Sequence, residues 1–195
     1  MNNKILGSMA LAGAPFFLLS VCLQPLFTSF NQSQVYGIWS TIYITGWLCS
    51  VLALIRLKAT GNRPFGRTIL RVLVTSLLLA DLSNIYQIIL PGDRSLLFVV
   101  LDAFWPISNL LMLVTGITVL KVKGLSGWHR FIPLLVGCWL PVLVLCGIIF
   151  GRTTITGTIA GAYAAIAWSL LAIVVMKPGK VRAEEKQVAV AYELA

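Results

Sequence analysis

Polar residues in this chain come in short clusters, and between them run six apolar stretches at roughly 5–28, 36–57, 68–90, 95–120, 131–150 and 154–176. Each is about 20 residues or longer, enough at a rise of about 1.5 Å per residue to cross a ~30 Å hydrocarbon core. The connections are too short to hold a soluble domain. The pattern predicts an all-α integral membrane protein, a bundle of six transmembrane helices over residues 1–176 with a short polar tail at 177–195. The first stretch is longer than a secretory h-region and ends in Gln24-Pro25 without a small-residue cleavage site, so it reads as a retained helix.

Punctuation within the stretches adds detail. Pro15 should kink the first helix, because proline lacks the backbone donor and crowds the preceding turn. Pro133 and Pro141 flank Trp139 and predict a bent fifth helix. Gly7, Ala10, Gly13 and Ala14 in the first helix are small enough for close backbone packing. Gly157, Gly161, Ala165 and Ser169 repeat at four-residue spacing in the sixth, a small-residue face for an internal neighbour or for a second copy in a homo-oligomer. Leu57-Lys58-Ala59-Thr60-Gly61 and Leu120-Lys121-Val122-Lys123-Gly124 echo one another at an offset of 63, a weak sign of duplicated hairpins.

Composition strengthens the membrane reading. The chain is 58% hydrophobic and only 11% charged, against about 25% charged in soluble domains, and its mean hydropathy is +0.92. The net charge of +9 invites a nucleic-acid reading, but its distribution argues otherwise. With alternating spans, thirteen of the fifteen Lys and Arg residues fall on one side and only Arg94 and Arg152 on the other. That is the positive-inside signature, which places both termini in the cytoplasm and makes anionic membrane lipids, not nucleic acid, the partners of the basic side. The location expected is a multi-pass protein of the inner or plasma membrane.

Most enzyme chemistry lacks its residues. Cys22, Cys49, Cys138 and Cys146 lie within apolar stretches, form no C-x-x-C pair and have no neighbouring His, so neither a metal nor a cofactor is implied. His129, the only histidine, belongs to the interfacial segment Trp128-His129-Arg130, which leaves a nucleophile–His–carboxylate set hard to assemble. Nucleotide-binding loops, H-E-x-x-H and EF-hand patterns do not occur.

The remaining chemistry is in the hairpin of the third and fourth stretches, joined by Pro91-Gly92-Asp93-Arg94. Asp81 and Asp102 are the only carboxylates inside apolar sequence. At membrane depth each costs about 2.5–3.5 kcal/mol on insertion scales, which makes it a candidate for function. Counted from the turn, Asp81, Asn84 and Asp102 lie within about one helical turn of one another in depth, and Ser76 and Asn109 pair further in. Asp81, Asn84 and Ile88 step along one face, as do Asp102, Pro106 and Asn109, and no Lys or Arg lies within the spans at that level. The second helix aligns Tyr36, Ser40, Tyr43 and Trp47; Tyr36 and Trp39 suit the interfacial belt, and Tyr43 and Trp47 are deep enough to touch a ligand.

The candidate site is therefore Asp81, Asn84, Asp102, Asn109, Ser76, Tyr43 and Trp47. The function expected is a small transporter or channel-like protein with an intramembrane acidic site, taking a neutral or cationic substrate and coupled to protons through the aspartates. The alternative is a non-enzymatic protein that binds or senses a lipid or another apolar small molecule. A purely structural stripe, in which the polar residues only tie helices together, competes with both.

Overall fold

Capping side chains in the polar clusters start the helices where the hydrophobic pattern begins. Asn2 accepts from the Lys4 amide, Ser33 from Tyr36, Ser95 from Phe98 and Thr153 from Thr156, each satisfying one orphan donor of a first turn. In a computed structural model describing residues 2–27, 29–151 and 153–177, the α-helices are α1 (Asn3–Gly13), α2 (Phe16–Leu23), α3 (Gln34–Arg56), α4 (Pro64–Ile89), α5 (Leu96–Asp102), α6 (Phe104–Val122), α7 (Ile132–Gly137), α8 (Trp139–Phe150) and α9 (Thr154–Met176). Short 3-10 turns occupy Phe30–Gln32 and Gly127–Phe131, and no strand occurs among the described residues. Most of the expected tail, 178–195, lies outside the described residues.

Counting helices that continue across a short break as one, five are long and apolar enough to cross a membrane: Asn3–Leu23, Gln34–Arg56, Pro64–Ile89, Leu96–Val122 and Thr154–Met176. The count becomes six if Gly127–Gly137 and Trp139–Phe150, bent by 51° at Cys138, form one span. Large apolar side chains face outward along these helices, among them Leu78, Leu82, Val144, Ile148 and Ile166. Such a surface suits hydrocarbon as the surrounding medium, where the helix satisfies its own backbone.

Three runs are interrupted, each near a proline. The α1–α2 break is at Ala14-Pro15, the α5–α6 break at Ala103 and the α7–α8 break at Cys138. Pro106 and Pro141 cannot donate to the carbonyls four residues back, which belong to Asp102 and Gly137, the last residues of α5 and α7. The bend expected in the fifth stretch is present. In the fourth stretch, proline produces a full break.

The elements close into a ring in chain order. α1 and α2 pack on α3 and α9, α3 on α4, α4 on α6, α6 on α7, and α7 and α8 on α9. At the α1–α3 crossing Gly13 faces Gly46, and a Cβ on Gly13 would come within 2.7 Å of the Ile42 carbonyl oxygen. This close approach is what the small residues of the first stretch predicted. On α9, Gly157 and Gly161 lie against Val21 and Leu18 of α2, so the small-residue face has an internal neighbour, and Ala165 is half-buried.

One end of the bundle is basic and tightly closed. α3 and α6 both finish with a left-handed lysine, Lys58 at φ 51° and Lys123 at φ 52°. The following amides reach back to the Leu54 and Val119 carbonyls, at 3.0 and 3.3 Å, which is Schellman geometry. The two loops touch, and a Cβ on Gly124 would collide with the Ala59 carbonyl. The matching caps are 65 residues apart, as 123 − 58 shows, not the 63 of the sequence echo. That correspondence follows from how these helices end.

Candidate functional site

At the opposite end the ring opens into a cavity of about 240 Å³. Its walls come from the outer turns of α3 and α4, from α5, and from the loops carrying Asn31 and Arg94. α4 contributes Ala80, Ser83, Asn84 and Gln87, the i, i+3, i+4, i+7 face of a helix. α3 contributes Tyr36, Ser40, Tyr43 and Ile44.

The rim is held by hydrogen bonds. The Gln87 amide donates to the Asn31 carbonyl at 2.5 Å, and Arg94 Nη2 donates to the same oxygen at 3.3 Å. Arg94 also lies over the Phe98 ring, 4.5 Å from its centroid, a cation–π contact. The turn behind it is fixed by Asp93, which accepts from the Tyr86 hydroxyl and, at 3.0 Å, from the Ser95 amide. These bonds, the Tyr86 hydroxyl first, hold the Asp93 carboxyl below the usual carboxylate range.

The floor is aromatic. Phe17 (α2) meets Tyr43 (α3) at 5.3 Å between centroids, Trp105 (α6) at 6.0 Å and Trp139 (α8) at 5.6 Å; Trp105 and Trp139 pack edge-on at 5.0 Å. Phe17, Trp105 and Trp139 each follow a helix break within two residues. Below them, toward the basic end, Tyr43 packs on Trp168, and Trp168 on Trp47.

Of the residues expected from sequence, the cavity gathers Asn84, Asp102 and Tyr43. Asp81 is not part of the lining. It lies on the α3–α4 seam, accepting from Asn84 Nδ2 at 3.3 Å and from Thr45 Oγ1 at 3.4 Å, so Asn84 connects it to the cavity. Ser76 sits deeper, accepting from Ser108 at 2.8 Å and donating to the Phe104 carbonyl at 3.2 Å. Its partner is one residue from the Asn109 expected opposite it. Asn109 is fully buried and donates to the Trp105 carbonyl at 3.0 Å. Trp47, 1% exposed, packs beneath the floor and not in the wall.

Sequence reasoning missed Ser83, Gln87, Tyr36, Phe17, Trp105 and Arg94 as lining residues. Ser83 and Gln87 were readable as polar steps beside Asn84. The cavity face is rotated by about 100°, one residue, from the Asp81–Asn84–Ile88 line. Arg94 corrects a premise as well. No basic residue lies within the spans at the level of the aspartates, yet Arg94 reaches the cavity of Asp102 from the turn. His129 is in the 3-10 turn Gly127–Phe131, beyond α6 at the basic end and away from either aspartate.

In class, then, the described residues are all-helical, with five or six helices of membrane-spanning length and a polar cavity at the end opposite the basic loops. It matches no family model, no curated protein and no solved structure.

Proposed function

We propose that the chain is a small membrane transporter that admits a hydrophilic solute from the non-cytoplasmic side into this cavity and passes it through the aromatic floor. Six crossings with both termini cytoplasmic are part of this reading, supported by the thirteen-to-two split of basic residues. The observation that carries it is the coincidence of three helix breaks with three floor aromatics, Phe17, Trp105 and Trp139. Discontinuous helices at mid-depth are tolerated where backbone lines a cavity, and they supply the pivots that alternating access needs.

The layer below the floor adds support. Trp47 Nε1, Ser50 Oγ, Asn109 Oδ1, Thr115 Oγ1 and Trp168 Nε1 are buried without a hydrogen-bond partner among the described residues. Each such group costs about 1–3 kcal/mol, a cost that a second conformation admitting water or solute would relieve. Asp102 and Asp81 are the groups through which protons would couple to movement.

Uptake into proteoliposomes tests the proposal. Pro106→Ala restores an amide donor to the Asp102 carbonyl and is expected to slow uptake more than it weakens binding. Saturable binding with no uptake in the same vesicles would replace transport by the second reading, a binding or sensing protein, which the sealed floor favours.

A further inference from the structure

The cavity holds one carboxylate, Asp102, and one guanidinium, Arg94. They bracket α5, with Asp102 its last residue and Arg94 two residues before its first. The two charges therefore enter the cavity from opposite ends of α5, yet near enough to act on one another. Resting on the reading of this cavity as the substrate site, we propose that it takes a small zwitterion, with the ammonium toward Asp102 and the aromatic floor and the carboxylate toward Arg94.

Each half has capacity left for a ligand. Asp102 accepts no hydrogen bond among the described residues, although a carboxylate has room for about four. Asp102 is exposed in the cavity wall, so its free acceptor sites are open to a ligand, and an ammonium would supply both charge and N–H groups. Among the described residues the Arg94 side chain makes one hydrogen bond, to Asn31, out of the five N–H donors of a guanidinium. The planar group can still grip a carboxylate through two parallel bonds. Tyr43 and Trp105 line the same cavity, and aromatic rings attract a cation. The Tyr43 hydroxyl also has no partner among the described residues.

Charge and size then disfavour singly charged solutes. A simple cation at Asp102 also meets the like charge of Arg94, and a simple anion at Arg94 also meets the like charge of Asp102. Built-in repulsion of that kind is how a site rejects a near-isostere. Only a molecule carrying both charges satisfies both ends. At about 240 Å³ the cavity falls below the roughly 300–1,000 Å³ of sites for drug-sized ligands, a scale that suits an amino-acid-sized solute. The substrate expected from sequence, neutral or cationic, is thereby narrowed to a dipolar one.

Equilibrium dialysis on the purified full-length protein in lipid nanodiscs reads this without any flux measurement. The probes are glycine, β-alanine and γ-aminobutyrate, which lengthen the charge separation step by step, with butylamine and butyrate as single-charge controls. The best zwitterion is expected to bind at least about tenfold tighter than either control, as two charge-assisted contacts against one imply. Arg94→Gln should abolish its advantage over butylamine, and Asp102→Asn its advantage over butyrate. Arg94→Lys keeps the charge and should retain the ranking with weaker binding. Butylamine or butyrate binding as tightly as the best zwitterion, no zwitterion binding at all, or an unchanged ranking in a folded Arg94→Gln protein would each overturn the proposal. A preserved zwitterion ranking without vesicle uptake would support it and remove only the transport reading.

Discussion

The two ends of the bundle are built from the same helices in opposite ways. At the basic end, α3 and α6 terminate in matching left-handed caps whose loops touch, with Gly124 on the Ala59 carbonyl and Thr60 donating to the Gly66 carbonyl at 2.6 Å. Backbone meets backbone there, and little can shift. At the other end, above the close α3–α4 approach at Gly37, the contacts are long side chains, Gln87 and Arg94 to Asn31 at the cavity rim and Tyr86 to Asp93 in the turn behind it. The helix breaks lie between these regimes. Close backbone packing leaves little room to shift at the basic end, whereas the cavity rim is held by side-chain hydrogen bonds.

The largest effect should come from damaging the close packing of the basic end. Gly124→Leu places carbon on the Ala59 backbone, an overpacking expected to cost about 3 kcal/mol, or roughly 6–12 °C in melting temperature for a chain of this size. A thermal unfolding curve in detergent checks it, and an unchanged curve would show that the basic end is not rigid. Next in size is the cavity carboxylate. Asp102→Asn should weaken binding of the best zwitterion by about tenfold or more, as loss of a charged hydrogen bond predicts, with little change in melting temperature. Asp81→Asn, outside the lining, should weaken it far less. Equal losses at both positions would place Asp81 in the site after all.

A subtler contrast is available below the floor. Asn109 Oδ1 is buried and unpartnered while Nδ2 donates to the Trp105 carbonyl, so Asn109→Leu removes one hydrogen bond together with one unsatisfied atom and is expected to move the melting temperature by no more than about 2–4 °C. Uptake should fall, and a marked loss of stability would show that Asn109 serves the packing instead. The smallest effect concerns the rim. The folded value of Asp93 is lowered, chiefly by the Tyr86 hydroxyl, so its contribution to stability is present above the unfolded value of about 3.9. It is lost as pH falls through the lowered folded value. The melting-temperature difference between wild type and Asp93→Asn should therefore be constant near neutral pH and shrink once the pH drops below about 4.

Much of the fold was legible because it depends on one coordinate, distance along the chain. Apolar run lengths marked the helices, and prolines marked the breaks at 14–15, 103 and 138. Antiparallel counting from the 91–94 turn put Ser76 within one residue of its partner Ser108. The candidate site was legible in part. Depth brought out Asp102, Asn84 and Tyr43, but Asp81, Trp47, Ser76 and Asn109 share that region without lining the cavity.

What the sequence determined by itself was depth, and what the tertiary structure decided was rotation. A soluble helix advertises its inward face by amphipathicity, whereas a helix apolar on every side carries no such signal. The rotation of α4 is set by α3, where Gly37 admits the backbone at Asn84 and the Ile88 side chain. That seats the 84/88 flank on α3 and turns Ser83, Asn84 and Gln87 toward the cavity, leaving Asp81 on the seam. The break at Ala103 likewise uncouples the direction of Asp102 from that of Asn109. Arg94 is a loop residue by sequence, and only packing on Phe98 and Asn31 folds it back over the site. Distance along a helix is covalent geometry, but azimuth is a property of the neighbour.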